Sequence, residues 1–189
     1  MDDPLTNEEK QTLLRLARSA LEAGVRGAAL QSLDLDGMPP RLRAHAASFV
    51  TLTTEGELRG CIGALEASQP LARDVCDHAV AAALDDPRFE PVRPEELAGI
   101  EIEVSRLTPP QDLEYRDPAD LLEKLRPGVD GVILRDGGRR ATFLPQVWEK
   151  LPDKPAFLDH LCDKMGAPAD AWRTRHLQVQ TYQVEDFHE

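Results

Sequence analysis

The stretch Ala47-Ser-Phe-Val-Thr-Leu-Thr-Thr-Glu-Gly-Glu-Leu-Arg-Gly-Cys-Ile-Gly63 predicts the element around which the rest of the fold is arranged. Its residues from Ala47 to Leu52 alternate between two faces, which is the period of a β-strand. The tripeptide Thr54-Glu-Gly56 can turn the chain, and Leu58 to Ile62 predicts the returning strand. We therefore expect a β-hairpin that ends in a glycine-rich segment.

Helices are predicted on both sides of this hairpin. Thr6-Asn-Glu-Glu9 is a capping box, and leucines and alanines follow it at helical spacing as far as Gly24. Gln31 to Pro40 predicts a loop. After the hairpin, Ser68 and Pro70 are expected to open a helix that ends near Asp85-Asp-Pro87.

The second half of the chain predicts the remaining elements in a similar way. They are a strand at Ile100–Val104, a helix from Asp117-Pro118 to Leu125, a hairpin around Asp136-Gly-Gly138, helices at Pro145–Trp148 and Asp153–Gly166, and a last strand from Leu177 toward Phe187. This order predicts an α+β fold with mixed or antiparallel sheets. Pro87–Pro94 is a natural seam between two halves, but it is too short to be a free linker.

Length and charge exclude several classes of protein. The chain has 189 residues, which suits one domain or two packed halves, and its net charge is −12. That charge and the few aromatic residues argue against nucleic-acid binding. Met1–Pro4 has no features of a secretory signal, and no apolar run is long enough for a membrane helix. The 3 cysteines form no disulfide framework, so we expect reduced thiols and a cytoplasmic protein.

The Leu58–Gly63 segment is the strongest candidate for a functional site. Gly60 and Gly63 allow another backbone or a ligand to approach closely, and Cys61 lies between them. Arg59 and the amides of the following helix would favour the thiolate of an exposed Cys61, which makes this thiol a candidate nucleophile. The alternative is that Cys61 is a small buried hydrophobic residue.

Two further stretches supply candidates that could act with Cys61. In Asp85-Asp-Pro-Arg-Phe89 the Arg88 guanidinium suits a carboxylate or phosphate of a ligand, and the alternative is an ion pair with a neighbouring acid. Asp86 is a good turn former that could also orient a reacting group or take a proton. His78 is the nearest histidine and a candidate base, or else a hydrogen-bonded helix residue.

The strand at Ile100–Val104 offers carboxylates. Glu101, Glu103 and Ser105 share its polar face, which is either a solvated sheet surface or a carboxylate pair lining a groove. No spacing typical of zinc, nucleotide or dinucleotide binding is present, so we expect neither a metal nor a cofactor.

Several ordered motifs carry a resemblance that covers most of the chain. They are Leu58-Arg-Gly-Cys-Ile-Gly63, Asp86-Pro-Arg-Phe89, Glu101-Ile-Glu-Val-Ser-Arg-Leu-Thr-Pro109, Asp130-Gly-Val-Ile-Leu134 and Thr142-Phe-Leu-Pro-Gln-Val-Trp148. With them the chain resembles the AMMECR domain family (AMME-syndrome candidate region), whose prokaryotic members are called AmmeMemoRadiSam system protein A. Ala64 departs from the pattern, because many members have threonine or serine there.

The resemblance implies one AMMECR-like domain over residues 1–189, made of two unequal subdomains packed around a cleft without a free linker. It implies no established reaction, although the Arg-Gly-Cys-Ile-Gly segment is expected to mark an active or binding site. The family name also implies two partner proteins, namely a Memo-type protein and a radical S-adenosylmethionine enzyme.

Two hypotheses follow, and the sequence leaves open whether the protein is an enzyme. In the first, the cleft binds a small anionic ligand and Cys61 reacts with it, helped by Asp86, Glu103 or His78. The ligand-binding candidates are Arg59, Gly60, Ile62, Gly63 and Arg88. In the second, the protein is a non-catalytic module that binds a peptide, a small ligand or the two partner proteins.

Overall fold

A computed structural model of the chain describes residues 4–30 and 32–189. The described residues leave out Met1–Asp3 and Gln31. No secretory signal was expected at the first of these, and Gln31 is the first residue of the predicted loop. The helices are α1 (Asn7–Val25), α2 (Pro40–Arg43), α3 (Leu71–Leu84), α4 (Pro118–Lys124), α5 (Val147–Lys150), α6 (Lys154–Lys164) and α7 (Ala171–Thr174), with a 3₁₀ turn at Pro94–Gly99. The strands are β1 (Ala47–Thr54), β2 (Glu57–Gly63), β3 (Ile100–Leu107), β4 (Gln111–Asp112), β5 (Gly131–Asp136), β6 (Arg139–Phe143), β7 (Gln178–Tyr182) and β8 (Val184–His188).

These elements form two four-stranded sheets, with strand orders β2-β1-β3-β8 and β4-β7-β5-β6. The predicted α+β class is therefore confirmed, and the sheets are antiparallel. Contacts divide the chain into a first unit, residues 1–108 with 185–189, and a second unit, residues 109–184. Pro87–Pro94 lies inside the first unit, so the seam expected there is wrong and the first boundary falls at Thr108–Pro109.

The core of the first unit lies between one face of its sheet and the two long helices. Leucines and alanines of α1 and α3 pack against Val50 and Leu52 of β1 and against Ile102 and Val104 of β3. The capping box predicted for α1 is present, since the Thr6 side chain accepts from the backbone N–H of Glu9 and the Glu9 carboxylate accepts from that of Thr6. The Ser68 cap predicted for α3 is wrong, because Pro70 occupies the cap position without a side-chain hydrogen bond.

The second unit has a core of its own. Val132 and Leu134 of β5 and Val179 of β7 face α4 and α6, and the rings of Trp148 and Phe157 stack with centroids 3.6 Å apart. Asp117 caps α4 and Asp153 caps α6, as predicted from the Asp-Pro and Asp-x-Pro signals.

The last predicted strand, Leu177 toward Phe187, is in fact two strands. Residues 178–182 form β7 in the sheet of the second unit, and residues 184–188 form β8 in the sheet of the first. In the described ranges, no helix has both the length and the apolar character needed to cross a bilayer.

Candidate functional site

Cys61 lies near the end of β2, an edge strand of the first sheet. The predicted turn is present, with positive φ at Glu55 (53°) and Gly56 (80°). The pairing with β1 then shifts by one residue between Leu52 and Thr53, so that Arg59 is the extra residue of a β-bulge. Beyond the bulge, Cys61 lies opposite Thr51.

Cys61, Thr51 and Glu103 form a row across three strands. Thr51 pairs with Cys61 on one side and with Glu103 on the other, so the three side chains share a sheet face. The Thr51 Oγ1 hydroxyl lies 3.3 Å from the Cys61 Sγ. We call these three residues the Cys61 row. Ile62 points the other way, toward the core of the first unit.

The carboxyl of Glu103 differs from that of an ordinary surface glutamate. Burial raises the pKa of Glu103, and the negative charge of Asp186 raises it further. The charge of His188 acts in the opposite direction and lowers this pKa. Glu101, its neighbour on the same face, is exposed. Only Glu103 of this predicted carboxylate pair therefore belongs to the Cys61 row.

Asp86 and Arg88 hold the backbone of Cys61 at the free edge of β2. The Cys61 N–H donates to Asp86 Oδ2 at 2.8 Å, and Arg88 Nη2 donates to the Cys61 carbonyl at 3.2 Å. Arg88 also binds both carboxylate oxygens of Asp86, at 2.9 and 2.7 Å. The pair thus satisfies the two backbone groups of Cys61 that a further strand would otherwise pair with, and it closes the edge of the sheet at that residue. We call it the edge clamp.

The edge clamp also accounts for the charge states of its members. Hydrogen bonds from Arg88 and from the Cys61 backbone hold the pKa of Asp86 well below its usual range, although burial opposes them. A carboxylate that stays ionised near neutral pH and has its oxygens occupied is suited to holding a backbone. It is poorly suited to the proton transfer suggested for Asp86 from the sequence.

Arg59 is engaged in a similar way. Its Nε and Nη2 donate to the two oxygens of Glu96 at 2.9 and 3.3 Å, and this bonding lowers the pKa of Glu96 to about 2. Arg59 and Arg88 are therefore each compensated by a carboxylate. The positive charge expected around Cys61 is neutralised, and a role for either arginine toward a ligand stays a prediction.

The two glycines make room for protein atoms. A Cβ on Gly60 would lie 2.1 Å from the Ala82 carbonyl oxygen, and one on Gly63 would lie 2.3 Å from the Phe49 ring. Ala82 belongs to the last turn of α3, so the helix end beside Gly60 carries partial negative charge. The expected support of a thiolate by the helix amides is thus wrong, because the opposite end of α3 is adjacent.

His78 belongs to a separate cluster on α3. Its Nδ1 lies 3.2 Å from Asp74 Oδ2, and the same carboxylate oxygen accepts from the backbone N–H and the hydroxyl of buried Ser48. No hydrogen bond or ion pair joins His78 to Cys61 in the part of the chain that the structure describes. The predicted base is not brought to the thiol.

Sequence reasoning missed two residues at this site, Thr51 and Glu96. Thr51 could be placed beside Cys61 only with the register of the hairpin, which the bulge at Arg59 changes. Glu96 follows Arg59 by 37 residues and carries no local signal. Within the described ranges, no group of three or more potential ligand side chains is arranged to hold a metal.

Comparison with known proteins agrees with the motifs that carry the resemblance. The family model described as AMMECR1 matches residues 14–187. A protein of Methanothermobacter thermautotrophicus is 43% identical over 187 residues, covering 98% of this chain and 97% of its own. A protein of Methanopyrus kandleri is 40% identical over 199 residues, covering 100% of this chain and 92% of its own. The crystal structure of an uncharacterised protein of Pyrococcus horikoshii matches with a TM-score of 0.82 and 35% identity, over 98% of this chain and 93% of that one.

Proposed function

We propose that this chain, which belongs to the AMMECR1 family, binds a small molecule on the Cys61 row and that the Cys61 thiol is the group that reacts with it. One observation carries the proposal. The edge clamp fixes both backbone polar groups of Cys61, while its side chain keeps partial exposure on the outer face of the sheet. A side chain held in this way is pre-organised for contact with a ligand.

The Cys61 row supplies the polar groups for such a contact. The Thr51 hydroxyl can donate a hydrogen bond to Sγ and so supports negative charge on the sulfur. Glu103 lies one strand farther on, about 4.8 Å in the spacing of a sheet. Its raised pKa lets it hold or accept a proton nearer neutral pH than an ordinary glutamate does.

The charges around the row favour a ligand of low net charge. Arg59 and Arg88 are both paired with carboxylates, and the negative end of α3 lies beside Gly60. This differs from the anionic ligand expected from the sequence, for which Arg59 and Arg88 were the candidate binding residues.

We expect iodoacetamide to alkylate Cys61 while Cys76 and Cys162 stay unmodified in the folded protein. Those two thiols are buried, and burial raises the pKa of Cys76 to about 11. Timed alkylation over a series of pH values, followed by mass spectrometry of peptides, measures the rate at each cysteine. The Cys61→Ser variant gives the background. If Cys61 of the folded protein stays unmodified until strongly alkaline pH, it is not a reacting thiol.

A matched pair of variants tests the hydroxyl. Thr51→Val keeps the side-chain shape but removes the hydrogen bond to sulfur, so we expect alkylation of Cys61 near neutral pH to slow about tenfold. Thr53→Val, two residues along the same strand, makes the same chemical change without that contact and should leave the rate unchanged. Equal rates in the two variants would remove Thr51 from the site.

A second candidate function is the interaction module for a Memo-type or radical S-adenosylmethionine protein. The observation in its favour is Leu58, a residue that is 42% exposed on edge strand β2 beside the Arg59 bulge. Single exposed apolar residues are common on protein surfaces, so what favours an interface here is the position of Leu58 in a strand at the edge of the sheet, where another chain can bind.

We expect Leu58→Asp to abolish co-purification of such partners from cells that produce them. Val129→Asp, at a residue of similar exposure (44%) in the second unit, is the matched control and should leave co-purification intact. Undiminished capture with Leu58→Asp would exclude this surface as the contact.

A further inference from the structure

The second unit contains a polar depression of about 400 Å³, a volume within the usual range of small-ligand sites. All of its lining residues belong to that unit, and they come from the segment Asp112–Tyr115, from Arg135 and from residues 176–180. Leu134 and Val179 pair across β5 and β7 and face the core. Arg135 and Gln178, the next pair, therefore face the opposite way, into the depression.

Among the described residues, the guanidinium of Arg135 has no counter-charge. Its Nε is buried without a hydrogen-bond partner, and no ion pair to Arg135 forms within residues 4–30 and 32–189. By contrast, Arg59, which is also withdrawn from solvent, binds both carboxylate oxygens of Glu96 through its Nε and Nη2. A partly buried arginine that the protein leaves uncompensated indicates an anionic group supplied from outside.

Two carboxylates line the same depression. Asp112 holds the Gln180 amide through one oxygen at 2.9 Å, and Glu114 is exposed. Neither lies within ion-pairing distance of Arg135, as far as the described residues show. A multiply charged anion such as a polyphosphate would be repelled by them. A ligand with one anionic and one cationic group satisfies both kinds of charge.

Two stacked rings form a flat wall in the lining of the depression. The rings of Tyr115 and His176 stack with centroids 4.3 Å apart and an angle of 22° between their planes. The Tyr115 hydroxyl donates to the Leu177 carbonyl at 2.9 Å, which fixes the phenol against the end of β7. The wall is therefore pre-formed and offers a planar surface to a ligand side chain.

We propose that this depression binds a free amino acid, with the carboxylate on Arg135 and the ammonium group directed toward Asp112 and Glu114. The site is independent of the one proposed at Cys61, since the two lie in different units and share no residue.

Titration of the full-length protein with the common L-amino acids, each added singly and followed by ¹H–¹⁵N NMR, tests the proposal. We expect at least one of them to shift the amide signals of residues 112–115 and 176–180. The N-acetyl derivative of that amino acid lacks the ammonium group and its amide lacks the carboxylate, and both should bind about tenfold or more weakly. Inorganic phosphate is the comparison anion.

The decisive variant is Arg135→Gln, which should weaken amino-acid binding by about 10- to 100-fold. It should not lower the melting temperature, because Arg135 has no partner to lose in the part of the chain that the structure describes. The Cys61→Ser variant should leave the binding unchanged. Arg43→Gln makes the same change of charge at an exposed arginine of α2 and is the matched control.

Three results would overturn the proposal. The first is the absence of any Arg135-dependent shift with every amino acid at about 10 mM, a concentration that detects even weak binding. The second is phosphate or the N-acetyl derivative binding as tightly as the amino acid. The third is a fall in the melting temperature of Arg135→Gln with unchanged binding, which would make Arg135 a structural residue only.

Discussion

Replacement of Asp86 by alanine is expected to lower the free energy of unfolding by about 2–4 kcal/mol. The substitution removes the acceptor of the Cys61 N–H and both acceptors of the Arg88 guanidinium. Only 2% of the Asp86 side chain is exposed, so water cannot replace these bonds without a local rearrangement. Arg88 is 55% exposed and regains hydration, which keeps the loss below that of a fully buried ion pair.

Denaturant unfolding of the variant measures this loss, and hydrogen exchange of the Cys61 amide reports it locally. Asp85→Ala is the matched control, because Asp85 is the exposed neighbour of Asp86 at the end of α3, and it should change stability by less than about 0.5 kcal/mol. If Asp86→Ala unfolds at the same denaturant concentration as Asp85→Ala, the edge clamp contributes nothing to stability.

Acidification should reproduce part of the same loss. The pKa of Asp86 is lower in the folded protein than in the unfolded chain. Its contribution to stability is therefore complete above the unfolded value, about 3.9, and disappears as the pH falls through the folded value. The wild type should lose stability relative to Asp86→Ala in that acidic range.

Replacement of Gly60 by alanine is expected to destabilise the protein by about 3 kcal/mol or more, or to prevent folding. The added Cβ would lie 2.1 Å from the carbonyl oxygen and 3.0 Å from the carbonyl carbon of Ala82. These are backbone atoms of α3, so no rotation of a side chain relieves the contact. Either the helix or the edge strand must move.

Gly99→Ala provides the matched control within the first unit. Its Cβ would meet only the Thr54 methyl group, at 3.8 Å, which is an ordinary van der Waals distance. We expect that variant to unfold within about 1 kcal/mol of the wild type. A Gly60→Ala protein of similar stability would mean that β2 and α3 are not held as closely as the structure indicates.

Local signals predicted much of the fold, because caps and turns are determined by neighbouring residues. The capping box of α1, the aspartate caps of α4 and α6 and both hairpins are examples that the structure confirms. The division of the last strand was not predicted, although the apolar residues change from odd positions (Leu177, Val179) to even ones (Tyr182, Val184) along this stretch. The strands before and after Gln183 join different sheets.

The candidate site was harder to predict, since its contacts span long separations in sequence. The sequence identified Cys61, Arg59 and Arg88, but not which acids bind the two arginines. An acidic chain offers many partners, and only the fold selects Glu96 and Asp86. The bulge at Arg59 had the largest effect, because a shift of one residue decides which residue of β1 lies beside Cys61.

The position of β8 determines which of the two units can finish folding first during synthesis. This strand lies beside β3, where the Ser105 hydroxyl donates to Asp186 at 2.6 Å and Phe187 enters the core of the first unit. The ribosome must make all of residues 109–184 before these contacts can form. The second unit, whose residues are consecutive, can therefore complete its own sheet first. The unit that begins earlier in the chain, and carries Cys61, is the later of the two to become complete.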